Sequence, residues 1–254
     1  MVNRAGLSRK HIFDAVESSV ARLGTHIDVL QVHRLDRETP REEIMRALND
    51  VVESGKVRYI GASSMSTWEF QTLQNISDKN GWHKFISMQN YYNLLYREEG
   101  KFRYPKLHPR NLELIRFFIE REMIPYCLDT GIGLIPWSPI ARGALSRPFS
   151  DRTTTRENSD KTLKAMIRGK ETDIDQRVIG RVEEIAKKKG VSMTTIATAW
   201  CLSKSKVNPI IGLSSKERID QAVESVHFAS SGKLTAEDIA YLEDEYQPKE
   251  RQGY

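Results

Sequence analysis

The sequence predicts an α/β fold built on a parallel sheet, and three observations predict it. Apolar, strand-like runs at 27–33, 57–64 and 85–90 begin about 28–30 residues apart, with one helical pattern in each gap. This is the strand–helix–strand repeat, whose crossovers make neighbouring strands parallel. The runs are almost continuously apolar, as strands covered on both faces are. No Gly-x-Gly-x-x-Gly follows any of them, and Gly131-Ile132-Gly133 precedes a strand instead. That disfavours an open dinucleotide-binding sheet and favours a (β/α)8 barrel. A closed barrel of this type needs eight strands, and five strand-like runs are counted.

Taken in order, Ser8 can cap a helix whose Ile12, Val16, Val20 and Leu23 share one face, and Gly24 ends it. The first strand runs over 27–33. Thr39-Pro40-Arg41-Glu42 reads as a capping box with proline at the first helical position. It opens a helix with Ile44, Leu48 and Val51 inward, stopped by Gly55. After strand 57–64, Ser66 and Glu69 form a second capping box, with Phe70, Leu73 and Ile76 inward, and strand 85–90 follows. The rhythm then falters, with a helical pattern at roughly 111–128. Residues 132–137 read as a fourth strand. Residues 146–173, polar and punctuated by Pro148, read as a long mobile loop of the kind that usually carries function. Helices are expected over 175–189 and 193–204, a fifth strand over 207–215, and helices over 216–228 and 235–245. Thr235 caps the last of these, with Asp238 three residues on.

Composition narrows the function classes. The chain has 254 residues, 39 % hydrophobic and 29 % charged, enough for one large core. No run approaches ~18 consecutive apolar residues, so no membrane span is expected. No apolar segment follows Met1, so the expected compartment is the cytosol. The net charge of +5 is interspersed apart from Lys187-Lys188-Lys189, which reads as a solvated helix end. Nucleic acid is not an expected partner, and a mildly basic surface suits a phosphate-rich small molecule. Cys127 and Cys201 lack metal-ligand spacing, and no metal is expected. The sharpest local question is His33, which ends an apolar strand with Arg34 and Asp36 just behind it. It is either a strand reaching the surface or an imidazole on the rim of a site.

The segments DVLQVHRLD, VRYIGASS, SMQNYYNLLYRE, GLIPWSPIARGAL and IIGLSSKERID, in this order and spread over nearly the whole chain, resemble the aldo-keto reductases. The likeness is nearest to the fungal aryl-alcohol-dehydrogenase-like branch. It implies a (β/α)8 barrel that reduces aldehydes and ketones with NADPH, without metal, acting on a small-molecule carbonyl substrate. It implies that His33 donates a hydrogen bond to the carbonyl oxygen, where charge builds during hydride addition. It implies that Ser63, Ser64 and Gln89 hold the nicotinamide carboxamide and that Trp137 stacks on the nicotinamide ring. Ser138, Ile140, Arg142 and Gly143 match the loop that wraps the pyrophosphate. Gly212, Ser214 and Arg218 match the segment that holds the adenosine 2′-phosphate. The sequence departs from the family pattern at Ser64, where asparagine is commoner, and at Ala222, where asparagine often meets adenine.

The family's catalytic aspartate, tyrosine and lysine lie on its first three strand–helix units. Met1 aligns with the loop after the third, so the resemblance leads us to expect an incomplete barrel, a single partial domain over 1–254 lacking those units. Such a chain is expected to express poorly and to be impaired in turnover. Tyr59, Tyr91, Tyr92 and Tyr96 do not match the motif of the catalytic tyrosine. Residues 100–119 interrupt the family pattern, and their Gly-Lys start suggests a retained intron. A non-catalytic NADPH-binding subunit, or a non-functional fragment, is the alternative reading.

Overall fold

The computed structural model describes residues 5–98 and 122–249. The expected insertion at 100–119 lies outside the described residues, as does most of the helical pattern at 111–128.

Four strands, β1 (Ile27–Val32), β2 (Val57–Ser63), β3 (Phe85–Gln89) and β4 (Gly133–Leu134), form one parallel sheet in chain order. Helices α1 (Arg9–Leu23), α2 (Arg41–Glu53) and α3 (Thr67–Asn80) precede or cross between the first three strands. They place Ile12, Val16, Ile44, Leu48, Phe70 and Leu73 in one buried cluster with Ile60, Ala62 and Met88 of the sheet. Ser8 and Gly24 cap α1 as expected, Gly24 with the left-handed backbone that glycine adopts at little cost. Both halves of the Ser66–Glu69 capping box are made.

Four expectations need correction. Thr39 does not cap α2; Pro40 holds that position without a side-chain bond, because the Thr39 hydroxyl donates to Asp36 instead, at 2.7 Å. Regular strand in 132–137 is confined to Gly133–Leu134, since Pro136 has no N–H for a ladder. Residues 207–215 form no strand among the described residues. Val207 and Ile210 make isolated bridges to Leu134 and Trp137, and Pro209 between them lacks a donor. The sheet therefore counts four strands rather than five, with this extended segment alongside β4.

The fourth correction concerns 146–173, which is a structured excursion. Helix α4 (Met123–Asp129) lies before β4, and the excursion holds α5 (Thr155–Ser159) and α6 (Lys161–Met166), followed by a turn of 3₁₀ helix at Arg168–Lys170. Arg152 pairs with Glu171 at 3.0 Å, and Arg168 pairs with both Glu157 and Glu171. Only 11 % of the Arg168 side chain is exposed, so this pairing is better shielded than an ordinary surface ion pair. Four helices close the chain: α7 (Asp173–Lys189), α8 (Met193–Leu202), α9 (Lys216–Ser230) and α10 (Ala236–Asp244).

Three large apolar side chains of the sheet are exposed. Val29 and Tyr59 are register neighbours, and with Ile86 they are 37–55 % exposed. Ile219, Val223 and Val226 make a second exposed apolar stripe at helical spacing on α9. Patches of this kind seek cover in water.

Asp36 ties the start of the chain to the β1–α2 loop. It accepts from the Thr39 hydroxyl, from Leu7 N–H at 2.8 Å and from Glu38 N–H at 3.0 Å. The Thr39 hydroxyl first, then the Leu7 N–H, lower its pKa from 3.8 to about 2. A depressed carboxylate contributes stability that is present above its unfolded value and lost as pH falls through the folded one. The thermal midpoint should therefore fall between about pH 4 and pH 2, and Asp36→Asn should flatten that part of the curve while lowering the midpoint at neutral pH. A wild-type and variant pair of parallel curves, followed by circular dichroism, would remove this role.

Candidate active site

In a parallel sheet all strands end on the same side, so residues that end neighbouring strands meet there. His33 directly follows β1 and is exposed. Ser63 ends β2 and is the register partner of Gln89, which ends β3. The Ser63 hydroxyl donates to the Gln89 carbonyl at 2.7 Å, and Ser64 N–H donates to the same oxygen at 3.1 Å. One strand further on, Trp137 N–H donates to Asn90 O at 2.8 Å. His33, Ser63, Ser64, Gln89 and Trp137 thus line up across successive strand ends.

Ser64 is the strained member of the row. Its φ of 27° lies in the left-handed region, and its hydroxyl is buried with no hydrogen-bond partner. Such a group is costly unless something pairs with it. Asn90 also has an unpaired amide, but it lines a separate cavity of about 20 Å³ with Met88, Tyr92, Arg97 and Leu134, room for about one water.

Trp137 is half-buried, and its ring stacks on Tyr91 with centroids 4.4 Å apart; Tyr91 in turn lies 4.7 Å from Tyr96. Burial pushes the Tyr91 hydroxyl up to about 12. The Tyr91 ring is thus held between those of Trp137 and Tyr96.

Behind Trp137 the chain turns through a strained loop. Ser138, Ala141, Arg142 and Gly143 all have positive φ, from 48° to 100°. Each non-glycine costs roughly 1–3 kcal/mol, so the surroundings must impose the shape. They do so through Asn93 Nδ2 donating to Ser138 O at 3.1 Å and Gly143 N–H donating to Ile140 O at 2.9 Å. Arg142 also donates to Asp160 at 2.7 Å. Asp160 simultaneously caps α6 through Thr162 and Leu163 N–H. Ile140 packs against the core beneath.

Gly212, Ser214 and Arg218 are exposed at the start of α9, and Arg218 donates to the Ser214 hydroxyl at 2.9 Å. The Trp137–Ile210 bridge joins this segment to the strand ends. Among the described residues no group of three His, Cys, Asp or Glu could hold a metal ion, and no helix is long and apolar enough to cross a membrane. Cys127 and Cys201 are buried, and burial pushes both thiols up to about 12, which leaves them inert core residues.

Sequence reasoning missed Asn93, Asp160 and the guanidinium of Arg34, which donates to His33 O at 2.6 Å and lies 3.5 Å from Ser63 Oγ. Asp160 had a local signal, an aspartate opening the short helical run Lys161-Thr162-Leu163. Asn93 had none beyond its turn propensity.

In parallel α/β sheets small molecules bind at the carboxyl ends of the strands, where the polar residues of this sheet gather. The model of the aldo/keto reductase family matches residues 1–246, and the chain belongs to that family. It is 61 % identical over 248 residues to the versiconal hemiacetal acetate reductase of Aspergillus parasiticus, covering 98 % of this chain and 65 % of that protein. It is 54 % identical over 254 residues to a Schizosaccharomyces pombe protein named for aryl-alcohol dehydrogenase, covering 100 % of this chain and 64 % of that one. A Metarhizium robertsii aldo-keto reductase is 44 % identical over 255 residues, covering 100 % of this chain and 62 % of its own length. The chain thus spans a little under two thirds of each. The family is one of oxidoreductases that generally use a nicotinamide dinucleotide and act on small carbonyl compounds.

Proposed function

We propose that this protein takes part in NADPH-dependent reduction of aromatic or other bulky aldehydes and ketones to alcohols. The observation that carries the reading is the row of strand ends, which in strand order brings His33, Ser63, Ser64, Gln89 and Trp137, with the Ser64 hydroxyl buried and unpaired. These groups fit a nicotinamide. Ser63, Ser64 and Gln89 offer donors and acceptors for a primary carboxamide. Trp137, backed by Tyr91, offers a flat surface for the ring. The Ser138–Gly143 loop would hold the pyrophosphate. The Ser214–Arg218 pair at the helix start would hold the 2′-phosphate, which supports NADPH over NADH. The dinucleotide, when bound, supplies the hydride. His33 orients the carbonyl and donates to its oxygen as charge develops there. The substrate class rests on the aromatic cluster around 91–96 and on relatives named for a hemiacetal acetate and for aryl alcohols. We assign no residue of this chain as the proton donor. The sheet is read as part of a (β/α)8 barrel, with 100–119 as an insertion into it, and the setting as the cytosol.

Titration with NADPH tests the reading. Binding should quench tryptophan fluorescence saturably, and Trp137→Phe should remove most of the quench while calorimetric affinity changes by less than about tenfold. No saturable binding, or an equal quench in the variant, would defeat it. Binding without consumption of NADPH in the presence of aromatic aldehydes would leave a cofactor-binding protein rather than a reductase.

A further inference from the structure

We propose that Arg34 is a positioning residue that fixes the hydrogen-bonding polarity of Ser63, so that the site demands an N–H donor from whatever it holds there. The inference rests on the reading of Ser63 as a contact of the nicotinamide carboxamide.

A serine hydroxyl has one proton to give and two lone pairs to accept with, and its proton rotates to suit its neighbours. At Ser63 the neighbours leave little choice. On one side is the Gln89 carbonyl, which can only accept, 2.7 Å away. On the other is an Arg34 N–H, which can only donate, 3.5 Å away. The proton therefore points at Gln89, and Arg34 takes one lone pair. What remains for a ligand is a single lone pair, an acceptor. The same Arg34 nitrogen donates to the His33 carbonyl at 2.6 Å. One guanidinium thus links the end of β1 to the end of β2, and Ser63 passes the linkage to β3. The relay runs Arg34 N–H to Ser63 O–H to Gln89 C=O, each group donating to the next. Hydrogen bonds in such a chain polarise one another.

A primary amide on a pyridine ring has the N–H that this acceptor requires. A methyl ketone in the same place presents either its methyl or its oxygen to Ser63, and neither can donate. The structure therefore assigns discrimination between the two to Ser63, and the setting of that discrimination to Arg34. Nothing in the chemistry needs Arg34 to touch the ligand.

The test compares three probes by calorimetry: NADPH, its reduced 3-acetylpyridine analogue, and 2′,5′-ADP, which lacks the pyridine end altogether. The wild-type protein should bind NADPH roughly 5–10-fold more tightly than the acetylpyridine analogue, the size of one hydrogen bond. Arg34→Leu keeps an apolar stem and deletes the donors. It should weaken NADPH by about 3–10-fold, shrink the NADPH-to-analogue ratio to below about twofold and leave 2′,5′-ADP unchanged. Arg34→Lys, which restores one charged donor, should recover part of the ratio. Ser63→Ala should abolish the ratio as Arg34→Leu does. An unchanged ratio in Arg34→Leu would overturn the inference while leaving the cofactor reading intact. So would equal weakening of NADPH and 2′,5′-ADP, which marks a general structural defect. Wild-type binding of 2′,5′-ADP as tight as that of NADPH would overturn the carboxamide reading, and the inference with it.

Discussion

Replacing His33 with alanine is expected to lower the turnover of an aromatic aldehyde by about 10²-fold or more, with the NADPH dissociation constant within threefold of wild type. The argument is geometric and then electrostatic. His33 stands at the exposed end of β1, in line with Ser63 and Gln89 across the neighbouring strand ends. Arg34 holds its backbone carbonyl at 2.6 Å, so the residue's main chain is anchored while the imidazole is left at the surface. A donor aimed at a carbonyl oxygen gains most as that oxygen becomes negative, so the loss falls on turnover rather than on binding. His33→Gln, which keeps an N–H donor but cannot carry a positive charge, should lie between the two. Steady-state kinetics beside calorimetry separate these cases. Wild-type turnover in His33→Ala would return His33 to the plain reading of a strand that has reached water.

Trp200→Ala is expected to destabilise the protein by about 3–5 kcal/mol. Trp200 is fully buried in α8, lies 5.2 Å from the Tyr92 ring and donates its indole N–H to Glu243 at 2.7 Å. Arg97 and Lys204 lie over its ring at 5.9 and 5.0 Å. Truncation removes the largest fully buried side chain among the described residues and leaves a cavity in its place. Because whole domains are stable by only about 5–15 kcal/mol, this single change should shift the urea midpoint strongly. Trp200→Phe, which keeps most of the ring, should lose far less. A shift in Trp200→Ala equivalent to under about 1 kcal/mol would show that the site collapses freely.

What could be read from the sequence was what depends on near neighbours. Strands β1 to β3 announce themselves by apolar runs, and α3 by Ser66 and Glu69 three residues apart. The resemblance, rather than the strand pattern, picked out His33, Ser63, Ser64 and Gln89; the strands account for their standing at neighbouring strand ends. Trp137 was marked in the same way, and its own strand is cut short by Pro136. Thr39 was misread because a distant competitor won. Asp36, which also holds Leu7 29 residues away, takes its hydroxyl. The excursion over 146–173 looked mobile because its order depends on pairs such as Arg152–Glu171 and Arg168–Glu157, separated by 19 and 11 residues and invisible to periodicity. Asn93 and Asp160 escaped for the same reason. Each acts on the loop after Trp137 from 45 and 18 residues away.

The bond between Arg142 and Asp160 bears on how an anion would arrive. A guanidinium already joined to a carboxylate offers an incoming phosphate only the difference between two attractions, not the whole of one. Added salt weakens both attractions together. Association at this loop would therefore respond to ionic strength less steeply than a chain of net charge +5 suggests. Its pace would follow how often the existing pair parts.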